Sequence, residues 1–293
     1  MKSEEQSSTR RAVLSGTSTA LIGILAGCIS GDTDKPQATD RGSGGGTGGQ
    51  GTDTTATDSS GTYVQTAEQN EPQVPNDKDK EPKQPLSPPF RVGSGTTDYN
   101  IELDNKPVIA ATDDPVIDIY MWTDYQCRFC KKFEGNALGY LVANDVREKT
   151  ARIVMQNYPH KGGNSMTAAV MAKCLWEQVK DDDPQLFWEW HHTVFNNQQL
   201  PEESWSSRSS LLQYARNING IDAPSLDQCM QANRTGHEKT IRAEKQRGTK
   251  EGIKETPGFV IYHRDSEATS PPLMAAQPYT TFETQIYKLR NNA

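Results

Sequence analysis

The sequence predicts an α/β domain assembled in the order βαβ, a helical insertion, then ββα, and three observations carry that reading. A β-branched and aromatic run, Pro115-Val116-Ile117-Asp118-Ile119-Tyr120-Met121-Trp122-Thr123, leads straight into a helical stretch. From about residue 164 to about 247 the apolar residues recur at helical spacing instead of alternating. Beyond that stretch, Phe259-Val260-Ile261-Tyr262 and Leu273-Met274-Ala275-Ala276 return to strand composition, and residues 282–289 close the chain as a helix.

The elements follow in order. After the first strand, Phe133, Ala137, Leu138 and Leu141 give the next segment one apolar helical face. Ala151-Arg152-Ile153-Val154-Met155-Gln156-Asn157-Tyr158 is the second strand, ended by Pro159, so the opening unit is a right-handed βαβ crossover. Gly162-Gly163 breaks the chain before helices near 164–180, 184–197, 204–219 and 224–247, with no internal repeat. The folded domain is placed at 96–293 and its helical insertion at about 163–250.

At 293 residues the chain has room for one large or two small domains, but its 33% hydrophobic and 24% charged residues are unevenly spread. The apolar share concentrates after about residue 96, leaving roughly 200 residues for a single core with an insertion. The formal net charge is −7, with 38 acids against 31 bases. Residues 1–27 hold three bases (Lys2, Arg10, Arg11) against two acids (Glu4, Glu5), so the remainder carries −8. That balance argues against a nucleic-acid partner.

Residues 1–27 read as a targeting segment. Ser8-Thr9-Arg10-Arg11-Ala12-Val13-Leu14 resembles a twin-arginine export signal, and the apolar run from Ala20 to Gly27 is too short to span a bilayer. The run ends in Leu25-Ala26-Gly27-Cys28, which resembles the lipobox of prokaryotic lipoproteins. That resemblance implies cleavage before Cys28, a lipid on Cys28, and a domain anchored to the outer face of the cytoplasmic membrane, where disulfides persist. Residues 28–95 carry Gly-rich and Thr-rich stretches followed by Pro72, Pro75, Pro82, Pro85, Pro88 and Pro89. Such composition cannot bury enough surface to offset its ordering entropy and reads as a disordered tether.

The chemistry concentrates at Cys127-Arg128-Phe129-Cys130. At a strand-to-helix junction, the first cysteine of a CxxC sits at an exposed helix N-terminus and the second lies one turn along, within bonding distance. Free backbone N–H groups favour a Cys127 thiolate, and the more shielded Cys130 is placed to resolve a mixed disulfide. Arg128 adds a cation beside the sulfur, while Lys131 and Lys132 read as ordinary surface bases. The competing reading is a zinc half-site, which needs two more close ligands; Cys174 and Cys229 are distant in sequence and isolated in helical segments.

Taken together, Asp124-Tyr125-Gln126-Cys127-Arg128-Phe129-Cys130, Tyr158-Pro159, Ala168-Ala169-Val170-Met171-Ala172-Lys173-Cys174, Phe187-Trp188-Glu189-Trp190-His191 and Thr256-Pro257-Gly258-Phe259-Val260-Ile261 resemble the DsbA-like branch of the thioredoxin superfamily, over about residues 115–289. The resemblance implies a thioredoxin fold interrupted by a helical domain. It implies thiol–disulfide exchange on protein thiols, and a cis-proline loop, Thr256-Pro257, facing the CxxC and pairing with extended substrate. The chain departs from the family pattern at Arg128, where relatives often carry proline. Since the residues between the cysteines tune the potential, disulfide formation is the leading reading and isomerase or reductase the alternatives. Phe129 belongs to the same tuning pair.

With Cys28 lipidated, four cysteines remain in an oxidising compartment, and Cys174 and Cys229 both point into the insertion's core at helical spacing, so they are expected to pair as a structural disulfide. The cluster Phe187, Trp188, Trp190, His191, His192 and Phe195 reads as helix core with a satisfied histidine, not a cofactor site. No cofactor or metal is expected. The partners are exported protein thiols or disulfides, an unidentified redox partner, and the membrane through Cys28. The reading from a different class is a non-catalytic surface lipoprotein that binds a protein or a metal.

Overall fold

A computed structural model describes residues 87–97, 99–199 and 202–292. The targeting segment 1–27, Cys28 and the tether up to residue 86 lie outside the described residues. Of the residues expected to be tether, Phe90–Val92 instead form β1, paired antiparallel with β2 (Pro107–Ile109). Phe90 is buried among Phe187 and Trp188, which explains why a segment flanked by Pro88 and Pro89 is ordered. Arg147 and Gln185 donate to the carbonyls of Ser87 and Pro88, at 2.9 Å each, and hold the chain where it enters the domain.

The central strands are β3 (Ile117–Thr123), β4 (Ala151–Asn157) and β5 (Gly258–His263). β3 lies between β4, to which it is parallel, and β5, to which it is antiparallel. With β6 (Ala268–Thr269) the order is β1-β2-β4-β3-β5-β6, and β7 (Leu273–Met274) also pairs with β5. Every residue of β3 is buried, as expected of a strand covered on both faces.

The helix expected after the CxxC is broken into α1 (Arg128–Glu134), α2 (Ala137–Leu141) and a π-helical turn, Val142–Val146. Asn136, with φ −132° and ψ −90°, leaves the helical region, and its side-chain amide donates to the Lys132 carbonyl at 2.9 Å, closing α1. The insertion runs from α3 (Ser165–Val179) through α4 (Gln185–Asn196), α5 (Glu202–Trp205), α6 (Arg208–Arg216) and α7 (Ala223–Ala232) to α8 (Arg234–Lys250). The single helix expected over 224–247 is two, divided at Asn233, and the one expected over 204–219 is replaced by α5 and α6. Tyr279–Asn291 form α9, which sets Phe282 against Phe133 and Phe259. Cys174 on α3 and Cys229 on α7 are joined by a disulfide with Cα atoms 5.8 Å apart.

The insertion is fastened to the sheet by Glu244 of α8, which is 4% exposed. Its Oε1 pairs with Lys173 Nζ at 2.5 Å and Lys106 Nζ at 3.9 Å, and its Oε2 accepts from the backbone and side-chain amides of Asn157 at 2.9 and 2.8 Å. The Trp122 indole donates to the Glu244 carbonyl at 3.0 Å. No described helix is long and apolar enough to cross a membrane.

Candidate active site

The end of β3 shapes the loop that carries the cysteines. Asp124, 2% exposed, accepts from the Gln126 amide at 2.9 Å through Oδ1, making an Asx turn that reverses the chain into α1. Through Oδ2 it accepts from the amides of His160 (2.7 Å) and Lys161 (2.8 Å) and from the Ser165 hydroxyl (3.0 Å). One buried carboxylate thus ties the CxxC loop to the loop after β4 and to the start of the insertion. Gln126 Nε2 donates to the Ser206 hydroxyl at 2.9 Å, and a Cβ on Gly162 would collide with the Gln126 side chain.

Cys127 is the residue before α1, with φ −89° and ψ 114°, and both it and Cys130 are free thiols. Cys127 was expected at an exposed helix end, but it is 2% exposed, and Cys130 is 1% exposed. The cover comes from two sides: from the opposite loop, where the Cys127 thiol donates to the Thr256 carbonyl at 3.1 Å, and from the segment after α4, where Gln198 Nε2 donates to the Tyr125 and Cys127 carbonyls at 2.7 and 3.4 Å. The Thr256–Pro257 peptide bond is cis. The register sets this juxtaposition: Trp122 pairs with Gly258, so the residues just beyond β3 and just before β5 meet at the same edge of the sheet.

The two thiols are driven apart in acidity. The Cys127 pKa is lowered from the usual 9.0 to about 6, first by the Cys130 thiol as hydrogen-bond donor; burial opposes this, while Thr256 and the backbone amides of Cys130 and Phe129 reinforce it. Cys130 is pushed well above its usual range, first by burial and then by its contacts with Cys127. With only seven residues in α1, the neighbouring thiol does more here than the helix dipole invoked from sequence. The absorbance of the reduced protein at 240 nm should therefore titrate with a midpoint of about 6, and that step should vanish in Cys127→Ser. Because the folded-state pKa lies below the usual value, thiolate stabilisation of the reduced form is complete above 9, declines as pH falls and is gone below about 6. The melting temperature of the reduced form should rise relative to the oxidised form between pH 5 and 8; a midpoint near 9 would overturn the assignment.

Arg128 is exposed, with its guanidinium 5.0 Å from the centre of the Phe129 ring, and Phe129, 39% exposed, is the one exposed large hydrophobic residue among those described. Lys131, read as a surface base, instead donates to the carbonyls of Asn196 and Gln198 at 3.2 Å each. Lys161 is raised above its usual range by Glu255 first, with the charges of Cys127 and Asp124 adding to it. Beneath the loop, the Tyr125 hydroxyl meets His191 Nδ1 at 3.0 Å, and His191 Nε2 meets Glu134 Oε1 at 3.0 Å. His191, fully buried, is the satisfied core histidine anticipated from sequence. Sequence reading quoted Asp124 and Gln126 within the CxxC motif without giving them a role and missed Gln198, Lys161 and Glu134; Asp124 also had a local cue, as a turn-forming residue between strand and helix. Among the described residues, the only group of three potential metal donors is Cys174, Cys229 and His237, on α3, α7 and α8 of the insertion, and it includes neither cysteine of the CxxC.

The thioredoxin family model matches residues 104–276, more than half of the chain. Among characterised relatives, disulfide bond formation protein D of Bacillus subtilis (strain 168) is 25% identical over 121 residues, covering 41% of this chain and 52% of that protein. The chain thus matches about half the length of that relative. Among solved structures, oxidised BdbD from Bacillus subtilis aligns with a TM-score of 0.54 at 20% identity, over 69% of this chain and 99% of that one. DsbA from Chlamydia trachomatis aligns with a TM-score of 0.54 at 19% identity, over 68% and 95%. These two likenesses establish the fold, a thioredoxin-type sheet carrying a helical insertion. The family match spans β3, the CxxC, the insertion and the cis-proline loop in one continuous stretch, and by that measure the chain belongs to the thioredoxin family.

Proposed function

We propose that this protein is a thiol–disulfide oxidoreductase that forms disulfides in exported proteins, through Cys127 and Cys130. The observation that carries the reading is the split acidity of the pair: Cys127 held near pKa 6, and Cys130 buried and pushed upward. In the oxidised form, a substrate thiolate attacks Cys127 Sγ, the Cys127–Cys130 bond breaks, and Cys130 leaves with the electron pair and takes up a proton. A second substrate thiolate then attacks the substrate sulfur of the mixed disulfide. Cys127 departs as a thiolate, leaving the substrate oxidised and the pair reduced. A low pKa makes Cys127 the better leaving group in that last step, which favours oxidation of the substrate.

The surroundings support protein substrates. Phe129 presents an apolar contact between the cysteines. A groove of about 330 Å³ lies between α1–α2 and the loop after β7, lined by Lys132, Ala137, Tyr140, Pro278 and Tyr279. The Ala275 amide donates to the Pro257 carbonyl at 2.8 Å, so this groove adjoins the loop that covers Cys127. Substrate must displace the Thr256 carbonyl from the sulfur, and an extended backbone laid along Thr256 supplies replacement hydrogen bonds. Arg128 and Phe129 tune the pair. Export by residues 1–27 and a lipid on Cys28 complete the proposal, supported by the sequence motifs, with a separate redox partner reoxidising Cys127 and Cys130.

Equilibration in glutathione buffers tests the direction. The pair should have a potential above about −180 mV, and the oxidised protein should form one disulfide in a reduced dithiol peptide for each one it loses. A potential near about −270 mV, with net reduction of insulin, would assign it as a reductase.

A further inference from the structure

We propose that the Cys174–Cys229 pair is half of a redox-gated zinc site, which in its dithiol form binds one Zn²⁺ through Cys174, Cys229, His237 and Glu177. Cys174 and Glu177 lie one turn apart on α3, Cys229 is on α7 and His237 on α8, so the four donors converge from three helices of the insertion. The two sulfurs and His237 Nε2 all lie within 4.8 Å of one another. His237 Nε2 is 3.6 Å from Cys229 Sγ and 3.5 Å from Glu177 Oε2.

These separations match the edges of a zinc tetrahedron. Zn–S bonds of about 2.3 Å with Zn–N and Zn–O bonds of about 2.1 Å place sulfur and nitrogen about 3.6 Å apart, and nitrogen and oxygen about 3.4 Å apart. Two of the six edges are therefore present while the sulfurs are still bonded to each other. The same bond lengths put two thiolates about 3.8 Å apart, a separation that side-chain rotation can supply across Cα atoms 5.8 Å apart. Two of the donors are buried, Cys174 at 2% and His237 at 8% exposed, while Cys229 is half-buried and the Glu177 side chain, 53% exposed, closes the site on the solvent side. Asn233 Nδ2, 3.8 Å from Cys229 Sγ, offers the outer N–H donor that a metal-bound thiolate favours.

The steps balance. An external dithiol gives two electrons and two protons to the disulfide, becoming a disulfide itself and leaving two thiols. Zn²⁺ then displaces two protons as the thiolates bind. Oxidation by an external disulfide reverses this and releases the metal. Either cross-link, disulfide or zinc, fastens α3 to α7, and zinc adds α8. The insertion is thus stapled in a reducing and in an oxidising compartment alike.

The test uses the full chain carrying Cys28→Ser, Cys127→Ser and Cys130→Ser, so that only this pair offers thiols, and its outcome is independent of exchange activity. Zinc alone is titrated against a chromophoric chelator, with and without a phosphine reductant. The reduced chain should take up one zinc and the oxidised chain none. Adding His237→Ala should weaken binding at least about tenfold, with Glu177→Gln acting in the same direction. Circular dichroism accompanies each titration: if the reduced chain loses helix, zinc should restore it. Less than one zinc per reduced chain, equal affinity in His237→Ala, or failure of zinc to restore lost helix overturns the proposal.

Discussion

Cys127→Ser should abolish disulfide exchange with peptide and insulin substrates, whereas Cys130→Ser should accumulate a mixed disulfide at Cys127. The asymmetry follows from the site. Cys127 faces the Thr256 carbonyl across the loop and holds the lowered pKa, while Cys130 is buried behind it with its own pKa raised. Serine at 127 leaves no sulfur for substrate to attack, and the loss should be on the order of a thousandfold or more. In Cys130→Ser the Cys127 thiolate can still open the peptide disulfide, but the thiol that would displace the peptide and close the Cys127–Cys130 bond is gone, so the adduct persists until an external thiol reaches it. The Cys127 pKa should rise in Cys130→Ala, which removes the hydrogen-bond donor that is the leading cause of the depression, and less in Cys130→Ser, whose hydroxyl still donates. Mass spectrometry after mixing with a disulfide-containing peptide distinguishes the two variants. Retained turnover in Cys127→Ser would remove the CxxC from the mechanism.

The parts of this fold legible in the sequence are those encoded locally. β3, β4 and β5 each hold at least six buried residues in an unbroken run, and such runs announce themselves. β1 and β2 have three residues each, set among prolines, too short to show a period. Their order comes from a distant partner, the Phe187 and Trp188 pocket that receives Phe90. The division of α7 from α8 at Asn233 was hidden because the buried positions Leu226, Met230, His237, Ile241 and Glu244 keep near-helical spacing across it.

The site divides along the same line. Cys127, Cys130 and the Thr256-Pro257 loop are contiguous motifs and could be read directly. The groups that hold them are far away in sequence: Asp124 meets Lys161 across 37 residues, Gln126 meets Ser206 across 80, and Tyr125 meets His191 across 66. The first exists only once β4 lies beside β3 and the other two only once the insertion is docked, so no local pattern records them. The burial of Cys127 was missed for the same reason, since its cover is the backbone of residue 256.

Glu244→Ala should destabilise the protein by roughly 3–5 kcal/mol, the scale for breaking a buried ion pair by removing one partner. Burial alone would push this carboxylate's pKa up from the usual 4.5; the ammonium groups of Lys173 and Lys106 and the Asn157 amides outweigh it and hold the pKa below that value. Deleting the carboxylate leaves two lysines facing each other, one of them, Lys106, already lowered in pKa chiefly by its burial. It also leaves the Asn157 amide without its acceptor. In a domain of this size the melting temperature should fall by on the order of ten degrees. Glu244→Gln, which keeps an acceptor but not the charge, should fall between. A depressed carboxylate stabilises the fold fully above its usual pKa and stops doing so as pH falls through its lower folded-state value. The gap between wild type and Glu244→Ala should therefore be widest near neutral pH and close in strong acid; a gap of less than about 1 kcal/mol at pH 7 would mean the latch is a bystander. The effect should reach the active site, because Asn157 ends β4 and the amides of His160 and Lys161, three and four residues on, hold Asp124. Loosening the latch should thus move the Cys127 titration as well as the melting curve, linking the docking of the helical insertion to the acidity of the reactive sulfur.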